Sequence, residues 1–250
     1  MNVLGTINIT ERQMAFEKRR NCNCKFTCAQ VIQLMILFPF FSIKNAADYC
    51  GSALQSLFGC RKDMFYRVLS NDRIDWRRIL RHVNKKLAVN IAVRSDAKDT
   101  GHPTCKIVDD TDMPKTGRKG EMLGRVFSHV DNHGSILGHK GLSLCRTDGR
   151  PQMLIDFTLL GEEGRVASRP QGLSLKDIAA RFSKERDSGC KVEKRKEEYF
   201  QSKISSMKRM LNNASIELWA STTCLWTAGL RARRWSTTSG AMGAGPICWE

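Results

Sequence analysis

The run Ile107-Val108-Asp109-Asp110-Thr111-Asp112-Met113-Pro114-Lys115-Thr116-Gly117 places three carboxylates within four residues, directly after a short apolar stretch. A carboxylate on the end of a buried strand is held rigidly at a sheet edge, where a hard cation such as Mg²⁺ takes oxygen ligands. Phosphodiester chemistry uses such carboxylates as a group, because two metals clamp the attacking and leaving oxygens. One Asp-Asp-Thr-Asp cluster supplies only the first corner of such a group. Taken alone, the same residues equally suit a polar turn after a strand.

Other chemistry-bearing residues are dispersed. His129, His133 and His139 sit on different stretches, and Asp148 in Thr147-Asp148-Gly149 reads as hairpin-turn chemistry. The ten cysteines include no Cys-x-x-Cys pair, and none stands at finger spacing from a histidine. They read as reduced, mostly buried thiols of a cytoplasmic protein.

The elements that must position the acidic run follow from periodicity. Residues 1–28 are polar, with a basic knot at Lys18, Arg19 and Arg20, and read as a frayed entry segment. From Ala29 the spacing is helical through Phe38, and Pro39 stops or kinks the helix. A second helix is expected over 43–58, closed by Gly59. Met64, Phe65, Val68 and Leu69 suggest a third, and Trp76, Ile79, Leu80, Val83 and Leu87 a fourth. After Ser95 the period changes to two. Strands are expected at 105–110, 124–130, 135–144 and 153–160, the last three as an antiparallel meander, followed by helices at 175–182 and 191–210. The last 40 residues hold four of the five tryptophans and show neither period. The fold class expected is α/β: a helical region over 29–95, a mixed sheet with helices over 96–212, and an aperiodic tail over 213–250.

Charge points to the partner. Lys and Arg number 41 against 25 Asp and Glu, a formal net charge of +16. A surplus of that size points to a polyanion, nucleic acid being the commonest. Residues 61–86 carry nine Lys or Arg against three Asp. Arg67, Arg77, Arg78, Arg81, Lys85 and Lys86 are expected opposite the apolar stripe, as a DNA-binding helical region requires. A solvated helix face is the plainer alternative. The longest polar-free run, Leu34–Phe41, is eight residues, whereas a spanning helix needs roughly twenty. With no signal-peptide pattern either, the expected location is the cytoplasm.

The string VDDTDMPKTG, followed by GRVFSHVDNHGSILGHKGLSL, TDG and LIDFTLL, resembles the core of bacterial insertion-sequence transposases of the DDE type. FPFFSIKNAADYC, KDMFYRVLSN and IDWRRIL resemble their helical N-terminal region, so the resemblance covers about residues 29–210. It implies an RNase H-like fold whose first strand bears the first catalytic Asp. By position this is Asp110, with Asp109 as runner-up. It also implies two Mg²⁺ ions ligated by Asp110, cleavage of transposon ends and transfer into target DNA. Lys115 would contact phosphate, or else lie solvated in a loop. The expected partners are double-stranded DNA and a second copy or a full-length transposase.

The chain departs from that pattern. The family's second Asp, in a Tyr-Leu-Leu-Val-Asp-Ser-Trp-like string, and its later Glu are both missing. Glu217 and Glu250 lie in the tail, and nothing nominates either. The genetic code suggests a reason. In the frame displaced by two bases, Trp226-Thr227 forces an Asp codon and Trp219-Ala220 a Gly codon, and the codons between permit the missing string. A frameshift near 211–218 is therefore expected, with the tail failing to complete the sheet beside Asp110; a genuine, unusual C-terminal extension is the plainer alternative. Two functions of different class follow. One is a transposase by descent whose catalysis belongs to a full-length relative. The other is a non-catalytic DNA-binding fragment that inhibits such a relative. An RNA-binding protein is disfavoured, since the strands offer no aromatic platforms.

Overall fold

Thr27 starts the first helix, α1 (Cys28–Leu37), through a capping box: its hydroxyl accepts from Gln30 N–H while the Gln30 side chain accepts from Thr27 N–H. This computed structural model describes residues 5, 7–14, 25–94, 105–127, 134–147, 152–163, 166–216, 223–226 and 235–236. Pro39 opens a 3₁₀ turn over Phe38–Phe41, as its missing N–H allows. The helix expected over 43–58 is broken. The Asn45 side chain accepts from the backbone N–H of Ala47 and Asp48, competing with a helix, and Gly51 takes φ +82°. Only α2 (Ala53–Phe58) is helical there, capped by Ser52 and ended by Gly59. α3 (Lys62–Leu69) and α4 (Trp76–Arg94) stand where the periodicity places them.

The helices close over one apolar cluster containing Val31, Ile32, Leu34, Leu54, Phe65, Val68, Ile74 and Ile79. At its centre Phe38, Tyr49 and Phe65 pack with ring centroids 4.8–5.7 Å apart. The entry segment corrects the sequence reading. Ile7 and Ile9 are buried in this same cluster. The Ile9 carbonyl accepts from Gln33 Nε2, and His82 Nε2 contacts the Ile7 carbonyl at 2.9 Å. Two β-branched residues in a polar stretch are too few to show a period, yet they suffice to anchor it.

The second layer is a sheet. β1 (Cys105–Pro114) pairs antiparallel with β3 (Ser135–Thr147), which pairs antiparallel with both β2 (Gly124–Phe127) and β4 (Gln152–Leu160). On its other edge β1 runs parallel to β5 (Thr223–Trp226), itself paired with β6 (Trp235–Ser236). The architecture is thus α/β with a mixed sheet. β1 does not end at the carboxylates as expected: pairing with β3 continues to Pro114↔Gly138, so Asp109 and Asp110 lie mid-strand. The tail is corrected as well. A parallel strand does stand beside β1, although it spans only Cys105–Val108.

Helices α5 (Leu175–Ala180), α6 (Lys191–Tyr199) and α7 (Lys203–Ile216) follow the sheet. The single helix expected over 191–210 is two, because Ser202 accepts from Ser205 N–H and restarts the chain as a cap. On α7, Met207, Met210 and Ala214 recur at helical spacing and cover Val108, Leu142, Leu144, Ile155 and Leu160 of the sheet. Each of these side chains except that of Ala214 contributes about 1.5–3 kcal/mol by leaving water. Among the described residues no helix is long and apolar enough to cross a membrane.

Candidate functional site

Alternation along β1 puts Asp110 on the face of Lys106 and Val108, under α7, and Asp109 on the exposed face. The Asp110 side chain is only 2% exposed, yet it is not an open ligand. Lys140 Nζ lies 3.2 Å from its Oδ2, and Lys203 Nζ lies 3.1 Å from its Oδ1. Lys140 in turn sits 2.7 Å from Glu162 Oε1, while the other Glu162 oxygen accepts from Phe127 N–H. Two carboxylates and two ammonium groups balance to zero charge. Burial works against the charge of Asp110, but Lys203 and Lys140 outweigh it and hold the carboxyl below the ordinary carboxylate range. Burial likewise disfavours the charged Lys140, and Glu162 with Asp110 outweighs it, raising the amine.

This arrangement does not fit the two Mg²⁺ ions that the sequence leads one to expect. A hard cation needs several oxygen ligands, and here two ammonium groups already hold the one central carboxylate. Among the described residues no group of three His, Cys, Asp or Glu could hold a metal. Asp109 accepts from Asp110 N–H on the other face, and Lys115 is exposed in the turn after β1. Lys140 was not singled out from the sequence, though a signal exists. It falls in phase with Leu142 and Leu144 on the buried face of β3, and a buried lysine needs a carboxylate.

The basic helices divide. Arg77 is turned inward, correcting its placement on an exposed face. Its Nε lies 2.7 Å from Asp156 Oδ1, and its two terminal nitrogens donate to Glu198 at 2.9 and 2.8 Å. Arg209 reaches the same Glu198 at 3.3 Å, and Arg195 donates to the Phe157 carbonyl. Burial opposes the Arg77 charge, but Glu198 and Asp156 outweigh it and raise the guanidinium above its usual value. Burial lowers Arg195 and Arg209. Arg81 is half-buried on α4. Arg67, Arg78, Lys85 and Lys86 are exposed, and among the described residues none of these four pairs with a carboxylate.

His139 is half-buried, and burial pushes its imidazole down. His129, His133 and Asp148 lie outside the described residues. Of the six cysteines with described side chains, all are free and only Cys60 is fully buried. The expectation of mostly buried thiols is therefore corrected, since Cys50 is exposed on the Asn45–Gly51 turns.

No protein-family model, no curated protein and no solved structure matches this chain.

Proposed function

We propose that this protein binds duplex DNA without cutting it, and that it descends from insertion-sequence transposases of the DDE type. The observation that carries the binding function is the exposed basic surface of α3 and α4. Arg78 and Lys85 lie two turns apart on one side of α4, with Lys86 beside them and Arg67 on the neighbouring helix. With no carboxylate competing among the described residues, these charges are available to backbone phosphates, which supply most non-specific affinity.

Descent is supported by the order β4-β3-β1-β5, antiparallel, antiparallel and then parallel, with Asp110 on the central strand. This is the arrangement an RNase H-like core would need. The register of β5 adds to it. Trp226 stands opposite Val108, so the Asp codon that the displaced frame forces across Trp226-Thr227 falls beside Val108-Asp109. A restored frame would then bring a second carboxylate next to Asp110. In the present frame that neighbour is missing and Lys203 and Lys140 neutralise Asp110, which supports a chain without strand cleavage. On this reading it works in the cytoplasm on transposon-end or target DNA, and as an inhibitor beside a full-length transposase.

Fluorescence anisotropy with a labelled duplex, titrated with salt, tests the proposal. Affinity should fall steeply, each neutralised phosphate contributing about 0.9 to the slope of log K against log salt. Arg78→Ala, Lys85→Ala and Lys86→Ala together should flatten the slope by about 2–3. An unchanged slope would return this surface to simple solvation. Nicking by the purified chain in Mg²⁺ or Mn²⁺, abolished by Asp110→Asn, would refute the non-catalytic half. Sequencing the locus checks descent: an early stop, or no Asp-Ser-Trp string in the displaced frame, removes the frameshift.

A further inference from the structure

A cleft of about 280 Å³ opens between β2 and the segment 169–177. Three guanidinium groups line it, Arg118, Arg125 and Arg169, against a single carboxylate, Asp177. That carboxylate is already engaged. It lies 3.5 Å from Arg118, and Ser174 Oγ donates to it at 2.7 Å. The described contacts of Arg125 reach only the Ser135 carbonyl, at 3.3 Å, and among the described residues no carboxylate pairs with Arg125 or Arg169. The cleft therefore carries a surplus of two positive charges, which repel one another unless an anion joins them.

The cleft is also built. Gln171 adopts φ +56° and Gly172 φ +70°, a left-handed pair within one short turn, and Met122, two residues before β2, adopts φ +58°. A non-glycine residue held in this region costs roughly 1–3 kcal/mol and persists only where its surroundings enforce it. Arg181 provides that enforcement. One terminal nitrogen donates to both the Leu123 carbonyl and the Gln171 side chain, each at 2.6 Å. Gly172 lets the turn lie against β2, because a Cβ there would stand 2.9 Å from the Arg125 Cβ. The turn is thereby pinned to the strand that carries Arg125.

We propose that this cleft binds a phosphate group. Arginine's planar fork matches phosphate oxygens in pairs, and the three guanidinium groups lining the cleft supply donors for a tetrahedral oxyanion. A volume just under the roughly 300–1,000 Å³ of ordinary small-molecule sites suits one compact anionic group. The group can arrive as free phosphate or as a phosphodiester of a nucleic-acid backbone. Both place the same oxygens in the cleft.

The test uses the full-length chain, with folding of each variant checked by circular dichroism. Calorimetric titration with inorganic phosphate and with pyrophosphate reads the free source, and duplex anisotropy reads the backbone source. Arg125→Ala with Arg169→Ala should weaken whichever ligand binds by about tenfold or more. Asp177→Asn keeps the side-chain volume and removes the competing charge, so it should tighten binding, a gain that misfolding cannot imitate. Lys85→Ala with Lys86→Ala should leave phosphate binding unchanged, which separates this site from the helical surface. The proposal is overturned if the wild-type chain binds none of the three ligands saturably. It is equally overturned if the folded double-arginine variant binds all three as tightly as wild type.

Discussion

Arg77 Nε meets Asp156 Oδ1 at 2.7 Å across 79 residues of sequence, joining the longest helix of the N-terminal region to a strand of the sheet. Glu198 closes the far side of the same guanidinium. Truncating one partner of such a buried pair costs about 3–5 kcal/mol, chiefly because the partners are left buried without compensation. Arg195 and Arg209 stand close enough to offset part of that loss. Arg77→Ala should therefore destabilise the chain by about 3 kcal/mol in urea unfolding, while leaving the salt slope of duplex binding unaltered. A lowered salt slope with unchanged stability would show that Arg77 contacts phosphate after all.

The acid limb of stability should depend on Asp110. Its carboxyl is held below the ordinary range in the folded chain. Its stabilising contribution is therefore complete above the unfolded value of about 3.9 and is lost as pH falls through the lower folded value. Asp110→Asn should cost roughly 3 kcal/mol at neutral pH. It should also shallow the decline of stability below about pH 4, followed by denaturant midpoints across a pH series. An unchanged acid limb would mean that Lys140 and Lys203 do not hold the carboxylate in solution.

Gly161 follows β4 where Tyr199 closes α6 against the sheet. A Cβ at Gly161 would meet the Tyr199 ring at 2.4 Å, while Gly161 N–H donates to the Tyr199 carbonyl. Gly161→Ala should destabilise by about 1–3 kcal/mol, the usual cost of forcing extra volume into a packed contact. Combining it with Tyr199→Leu should recover part of the loss in the same unfolding assay, since the ring is the obstacle.

Thiol labelling of the native chain should be ordered. Cys50 is exposed, whereas Cys60 is buried and burial pushes its thiol up. Burial also raises Cys145, with the Asp109 charge adding to it. Ellman's reagent should consume Cys50 ahead of these two, and Cys60 should wait for unfolding. Mass mapping of partly labelled protein reads the order directly.

Those parts of the fold that follow one strong period were legible in the sequence. α1, α3, α4, β3 and β4 all show a clear stripe or alternation, and each lies within a few residues of expectation. The breaks were harder, because they depend on single side chains. The Asn45 amide breaks one expected helix by accepting from two backbone N–H groups, and the Ser202 hydroxyl divides another by accepting from one. Arg77 shows the deeper limit. Position 77 lies one helical step from the exposed Arg78, and only Asp156 and Glu198, remote in sequence, decide which guanidinium turns inward. At the candidate site Asp110 was legible as a rigid strand carboxylate. Its neutralisation was not, since Lys203 comes from a helix 93 positions further on (203 − 110).

Among the described residues the two apolar cores have no member in common: one belongs to the helices and the other to the sheet with α7. What couples them includes Arg77 with Asp156 and Glu198, Asn84, whose amide donates to the Leu154 carbonyl, Asp72 with Lys184 and Arg186, and Asp75 with Lys191. Cooperativity in this chain is therefore a property of a few polar bonds rather than of a continuous oily interior. If those bonds are cut, the helical half and the sheet half should melt as two calorimetric transitions in place of one.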